Sequence, residues 1–193
     1  MDEKQGLPIV AFASREGWER WLEEHHRDSP GLWLKIAKKG SGHETVLYPE
    51  ALESALCYGW IDGQKGAYDD EFWLQKFTPR RAGSRWSRIN RGKAADLVAQ
   101  GRMKPAGLQE VERARADGRW DSAYAGQRLA TVPEDFQQAL DRHPEAQVFF
   151  ATLDSANRYA ILYRIDDAKK PETRARRIEQ YVAMLAEHRK LHD

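Results

Sequence analysis

Strand-like segments are confined to the first 80 residues of the chain, so any sheet must be built there. Ile9-Val-Ala-Phe12 is a brief extended run. Leu32-Trp-Leu-Lys-Ile-Ala37 and Glu71-Phe-Trp-Leu-Gln-Lys-Phe-Thr78 are rich in aromatic and branched residues, as strands are, and Pro79 closes the second. Between them, Ser14 stands where it can cap a helix carrying Trp18, Trp21 and Leu22. Tyr48-Pro49-Glu50 opens a second helix, with Pro in the first turn and Leu52, Ala55 and Leu56 inward. Gly59 to Gly63 ends that helix and leads into a further extended stretch.

Beyond Pro79 the pattern is helical throughout. Gly83 and Ser84 are expected to open a long helix, closed by Gly101, and Pro105 opens another that runs to Gly118. The stretch from Ala123 to Ala130 lacks an apolar period and reads as a linker. Thr131-Val-Pro-Glu134 has the form of a capping box. Further helices follow: one carries Phe136 and Leu140, one runs from Pro144 to Leu153, one is capped by Asp154 and one is opened by Pro171. The expectation is an α+β fold: a small β-sheet packed with helices in the N-terminal half, then an all-helical C-terminal subdomain. The expected division is 1–125 and 126–193.

Composition excludes several classes. The net charge of +1 gives no global pull toward nucleic acid or a membrane surface, which argues against a nucleic-acid partner. A single cysteine, Cys57, allows no intrachain disulfide. The start, Met1-Asp-Glu-Lys-Gln-Gly, has no export pattern, and no run approaches the ~20 apolar residues of a membrane span. The reading is a cytoplasmic protein without membrane insertion. No dinucleotide, phosphate-loop or nucleophile-elbow motif occurs, and no histidine spacing suits a metal, so no cofactor and no metal are expected.

Leu32-Trp-Leu-Lys-Ile-Ala-Lys-Lys39, Ala55-Leu-Cys-Tyr-Gly-Trp-Ile-Asp-Gly-Gln64 and Phe77-Thr-Pro-Arg-Arg81 with Ser84-Arg-Trp-Ser-Arg-Ile-Asn90 carry a resemblance. So do Ser155-Ala-Asn-Arg-Tyr-Ala160 and Ala168-Lys-Lys-Pro-Glu-Thr-Arg-Ala-Arg-Arg177. Together they resemble the YdeI/OmpD-associated (bacteriocin-protection) family, in order along nearly the whole chain. The resemblance implies a link to antimicrobial-peptide resistance, but no reaction and no catalytic motif.

Candidate site residues therefore come from the chemistry of the side chains. Arg80 and Arg81 follow a strand, and Ser84 is expected near a helix start, where free N–H groups and arginine forks suit an anion. Trp60 and Asp62 sit in a glycine-flanked turn. Lys35, inside a strand, and Trp86 complete the set, with Trp73 close by. The leading reading is a module that binds an anionic small molecule or a protein partner through Lys35, Trp60, Asp62, Arg80, Arg81, Ser84 and Trp86. The plain alternative is a solvated basic face beside core tryptophans. A cofactor-independent enzyme using Asp62 with Arg80 and Arg81 is a second possibility, and a nucleic-acid surface along Arg85, Arg88, Arg91 and Lys93 a third. Lys169 to Arg177, with Arg174 and Arg177 on one face, reads as a solvated helix surface.

Overall fold

The computed structural model describes residues 2–126 and 130–192. It divides into two compact units, Met1–Ala123 and Tyr124–Asp193. Of the stretch read as a linker, residues 127–129 lie outside the described residues.

The first unit runs β1 (Glu3–Lys4), β2 (Leu7–Val10), α1 (Arg15–His25), β3 (Leu32–Ala37), α2 (Tyr48–Cys57), β4 (Trp60–Ala67), β5 (Phe72–Pro79), α3 (Arg88–Ala99) and α4 (Pro105–Ala116). The five strands order as β1-β2-β3-β5-β4, so β5 inserts between β3 and β4. Only β2 and β3 pair in parallel, across the α1 crossover. Alternation along β3 decides what each face carries. Leu32, Leu34 and Ile36 face the helices and join Trp18, Leu22, Leu52, Leu56 and Phe77 in the main core. Trp33 points to the other face, where it packs with Leu7 and Leu74. Strand β1 has no sequence pattern of its own. It forms because Gln5 and Gly6, both at positive φ, turn the chain back on β2. The carbonyl of Lys4 then accepts the Trp33 indole N–H at 2.9 Å.

Helix boundaries follow their caps. Ser14 accepts from the Gly17 N–H and starts α1. Helix α3 starts three residues later than expected, and Ser87, not Ser84, caps it, accepting from the Asn90 N–H at 3.1 Å. Ser84 is spent on a local turn: its hydroxyl accepts from the Arg81 N–H at 3.0 Å, and its own N–H donates to the Arg81 carbonyl at 2.8 Å.

The second unit is helical: α5 (Glu134–Asp141), α6 (Pro144–Thr152), α7 (Ser155–Asp166) and α8 (Pro171–Ala186). Thr131 does not cap α5, whose N-cap position is Pro133. Asp154 caps α7, accepting from the Asn157 N–H at 2.7 Å. Phe136, Leu140, Phe150, Ile161, Ile165, Val182 and Leu185 form the core. In the basic run at the start of α8, Lys169, Lys170 and Arg176 are exposed, whereas Arg174 and Arg177 are structural. Arg174 bonds both oxygens of Asp135 at 2.6 and 2.9 Å and the Ile165 carbonyl at 3.0 Å, and Arg177 donates to the Arg164 carbonyl.

Helices α2 and α4 meet at Gly107. A Cβ there would lie 2.3 Å from the Cys57 carbonyl oxygen and 2.7 Å from that of Leu56. In a free helix Gly→Ala stabilises by up to ~1 kcal/mol. Here the sign reverses, because two backbone carbonyls, which cannot swing away as the Met103 sulfur at 2.5 Å can, fill the space. Overpacking of ~1–3 kcal/mol predicts that Gly107→Ala lowers the melting temperature by about 2–10 °C. An unchanged or higher melting temperature would mean that α4 does not approach α2 this closely.

Candidate functional site

The concave region of the first unit lies where β3 ends, β5 begins and β4 ends. The segment after β3 is laced to its surroundings: the Lys38 N–H donates to the Glu71 carbonyl and the Val46 N–H to the Phe12 carbonyl. Thr45 Oγ1 also accepts from the Ala37 N–H at 2.9 Å. Two adjoining pockets result, of about 780 and about 610 Å³, which share Ala37, Lys38, Lys39 and Trp73. The larger also reaches the starts of α1 and α2, where Glu16, Glu44 and Glu50 contribute negative charge. Glu50 caps α2 by accepting the Leu47 N–H at 3.1 Å. The smaller pocket is cationic: Lys38, Lys39 and Lys65 line it beside Trp73, and among the described residues no carboxylate does.

Lys65 reaches this pocket through a backbone irregularity. The β4–β5 register shifts between Asp62 and Lys65, so Lys65 falls opposite Gln75. The bulge adds one residue and turns Lys65 to the face that carries Trp73. The buried Gln75 amide fills the irregularity by donating to the Gly63 carbonyl at 2.9 Å. The Lys65 ammonium then sits 4.4 Å from the centre of the Trp73 ring.

Tyr48 lines the larger pocket, its ring 5.9 Å from that of Trp73. Its hydroxyl donates to Asp62 Oδ2 at 2.7 Å, and the Asn90 amide reaches Asp62 Oδ1 at 3.4 Å. Burial first, then the bond to Asp62, pushes the Tyr48 phenol well above its ordinary value of 10. Tyr48 is therefore a held proton donor and not a base at neutral pH.

The expected site residues do not form one surface. In the strand register Lys35 stands opposite Leu74 and Asp62 opposite Phe77, which puts them on opposite faces of the sheet. The Lys35 ammonium lies 4.4 and 4.1 Å from the ring centres of Tyr68 and Phe72. Trp60 is 1% exposed, and its indole donates to the His26 carbonyl at 3.0 Å. Arg80 and Trp86 are brought together: the guanidinium lies 3.5 Å over the indole, and both are buried. Arg81 is exposed, and Ser84 is in the turn already described. Among the described residues, Asp62 is hydrogen-bonded to Tyr48 and Asn90, not to either arginine. Cys57 is a buried thiol pushed up to about 11, chiefly by desolvation. No cluster of metal-ligating side chains occurs among the described residues.

Lys38, Lys39, Lys65 and Tyr48 went unnoticed in the sequence as site residues. The Lys38-Lys39-Gly40 step at a strand end was the available signal for two of them. The other two depend on the bulge and on strand register.

Residues 10–110 match the model of a family described as a domain of unknown function (DUF8412). The chain belongs to the DUF8412 family. Residues 130–188 match the model of the bacteriocin-protection, YdeI or OmpD-associated family. Of the five stretches that carried the YdeI/OmpD resemblance, the three before residue 100 lie in the DUF8412 match and the two after it in the YdeI/OmpD-associated match. No curated protein and no solved structure matches the chain. Among the described residues, no helix is long and apolar enough to cross a membrane.

The phenols of Tyr48 and Tyr58 are both raised, Tyr58 by burial and by its bond to Glu23. A raised folded-state value favours folding below the unfolded value near 10, and this contribution is lost as pH climbs from there through the folded value. An alkaline absorbance titration should therefore give the same phenolate amplitude below about pH 11 for wild type and Tyr48→Phe. Asp62→Asn should bring Tyr48 ionisation down. A drop in the early amplitude of Tyr48→Phe would show that Tyr48 titrates as an ordinary exposed phenol.

Proposed function

We propose that the DUF8412 unit is a binding module for an anionic small molecule, taken up at the strand ends around Trp73. The observation that carries this reading is the pocket with three lysines, an indole wall and, among the described residues, no lining carboxylate. Lys38 gives one hydrogen bond to the Asp69 carbonyl at 2.7 Å, which leaves its charge in place. The nearby Asp69 carboxylate is engaged by the Glu71 and Phe72 N–H groups at 2.8 and 2.7 Å. A concave aromatic wall with a few convergent charges is the usual form of a ligand site, and ammonium groups act as point charges for phosphate or carboxylate.

Binding fits better than catalysis. The Tyr48–Asp62 pair lacks an activated nucleophile, and burial holds the Cys57 thiol in its inert form. The turn that carries the exposed Arg81 is the competing location. Any part in bacteriocin protection would run through the bound ligand, from the cytoplasm.

A thermal-shift screen with phosphate, carboxylates and nucleotides tests the proposal. A ligand at 100-fold over its Kd adds ~2.7 kcal/mol, which raises the melting temperature by about 5–10 °C. The shift should vanish in Lys38→Gln/Lys39→Gln/Lys65→Gln and persist in Arg81→Ala. Loss in Arg81→Ala with retention in the lysine variant would move the site to the Arg81 turn. No shift with any anion would end the proposal.

A further inference from the structure

The helical unit contains a pocket of its own, of about 250 Å³, whose lining residues all fall within the YdeI/OmpD-associated match. Its floor is apolar. Leu153 and Leu162 are 8% and 5% exposed and belong to the core of that unit, and Val132 packs beside them. Its mouth is polar, with Ser155 and Arg158 on α7.

Arg158 is the cation of this pocket. It is exposed, and its guanidinium lies 5.1 Å from the centre of the Phe150 ring. Arg174 and Arg177 of the same unit are each paired with carboxylates. Among the described residues, none pairs with Arg158. Its neighbour one turn back, Asp154, spends its oxygens on Asn157, accepting from the backbone N–H at 2.7 Å and from the side-chain amide at 3.4 and 3.2 Å. Among the described residues, then, no carboxylate is bonded to the cationic fork at the rim of this apolar well.

We propose that this pocket binds a short aliphatic carboxylate, with its chain against Leu153 and Leu162 and its carboxylate on Arg158 and Ser155. The size sets the class. At ~30 Å³ per water the space is worth roughly eight waters, hence about eight non-hydrogen atoms. That is a carboxylate and about five further carbons. Arginine presents two parallel N–H groups to the two oxygens, a match that a neutral headgroup of equal size lacks.

The test is an amide chemical-shift titration of the full chain with hexanoate, hexanol and acetate. Hexanoate should give saturable shifts confined to Ser155–Leu162 and their neighbours, in the millimolar range expected of so small a ligand. Hexanol and acetate should each bind at least about tenfold more weakly, because one lacks the charge and the other the chain. Arg158→Gln, checked for an unchanged melting temperature, should weaken hexanoate roughly tenfold. Lys38→Gln/Lys39→Gln/Lys65→Gln should leave these shifts intact, which separates this site from the strand-end pocket. Equal binding of hexanol, undiminished binding by Arg158→Gln, or no saturable shift in helix α7 would each overturn the proposal.

Discussion

A buried indole gains from an acceptor for its N–H, and three tryptophans of the first unit tie distant segments together in this way, whereas the buried Trp86 N–H has no partner among the described residues and its ring packs against Arg80 instead. Trp18 of α1 donates to the Ala51 carbonyl of α2, Trp60 of β4 to the His26 carbonyl after α1, and Trp33 of β3 to the Lys4 carbonyl of β1. These bonds join positions 33, 34 and 29 residues apart. The same rings supply apolar core: Trp18 and Trp60 meet edge to face with centroids 6.4 Å apart, and Trp18 stacks on Trp21 at 5.4 Å. Each tryptophan thus fixes both a volume and a direction. Leucine in those places fills space but leaves the carbonyls of Ala51, His26 and Lys4 without these donors.

The strand-end pocket depends on the frame that results. Its walls are chain ends, which are stable only because both sides are anchored. On one side the segment after Ala37 is bonded to Phe12 and Glu71. On the other, Gln75 satisfies the carbonyls that the β4 irregularity exposes. Asp62 stands at the last regular pair before that irregularity and orients Tyr48 from behind. Asp62 therefore contributes to the pocket through a phenol, rather than by meeting an arginine.

Local patterns in the sequence revealed what local forces decide. Strands β3 and β5 show in their composition, and the caps Ser14 and Asp154 bond within three residues of themselves. What stayed hidden depends on pairing across distance. Two serines, Ser84 and Ser87, compete for the start of α3, and the choice turns on whether a hydroxyl accepts from behind or ahead. Alternation shows that Lys35 lies on the face opposite Leu34, but not which face has the pocket. The stacking of Arg80 on Trp86 buries a residue type that is ordinarily exposed, and no periodic pattern marks it. The bulge that turns Lys65 leaves no sign beyond the glycines around it.

The near balance of charge conceals a division of labour between the two basic residue types. Several arginines settle on backbone carbonyls: Arg88 on Ala123, Arg91 on Trp120, Arg119 on Ser84, and Arg174 on Ile165. A planar fork with five donors suits this task, because one side chain can close several loose ends of the chain at once. Such arginines hold the fold, and removing one exposes acceptors before it removes a ligand contact. Lysine, a point charge on a flexible stem, does less of this work. Lys38, Lys39 and Lys65 keep their charge at a concave surface. Arg158 lines a pocket with the Phe150 ring 5.1 Å away, and among the described residues its guanidinium bonds no carbonyl or carboxylate. Counting basic residues along the sequence points to the arginine-rich stretch from Arg80 to Arg91. The pockets at the strand ends and on α7 are lined instead by Lys38, Lys39, Lys65 and Arg158, none of which lies in that stretch.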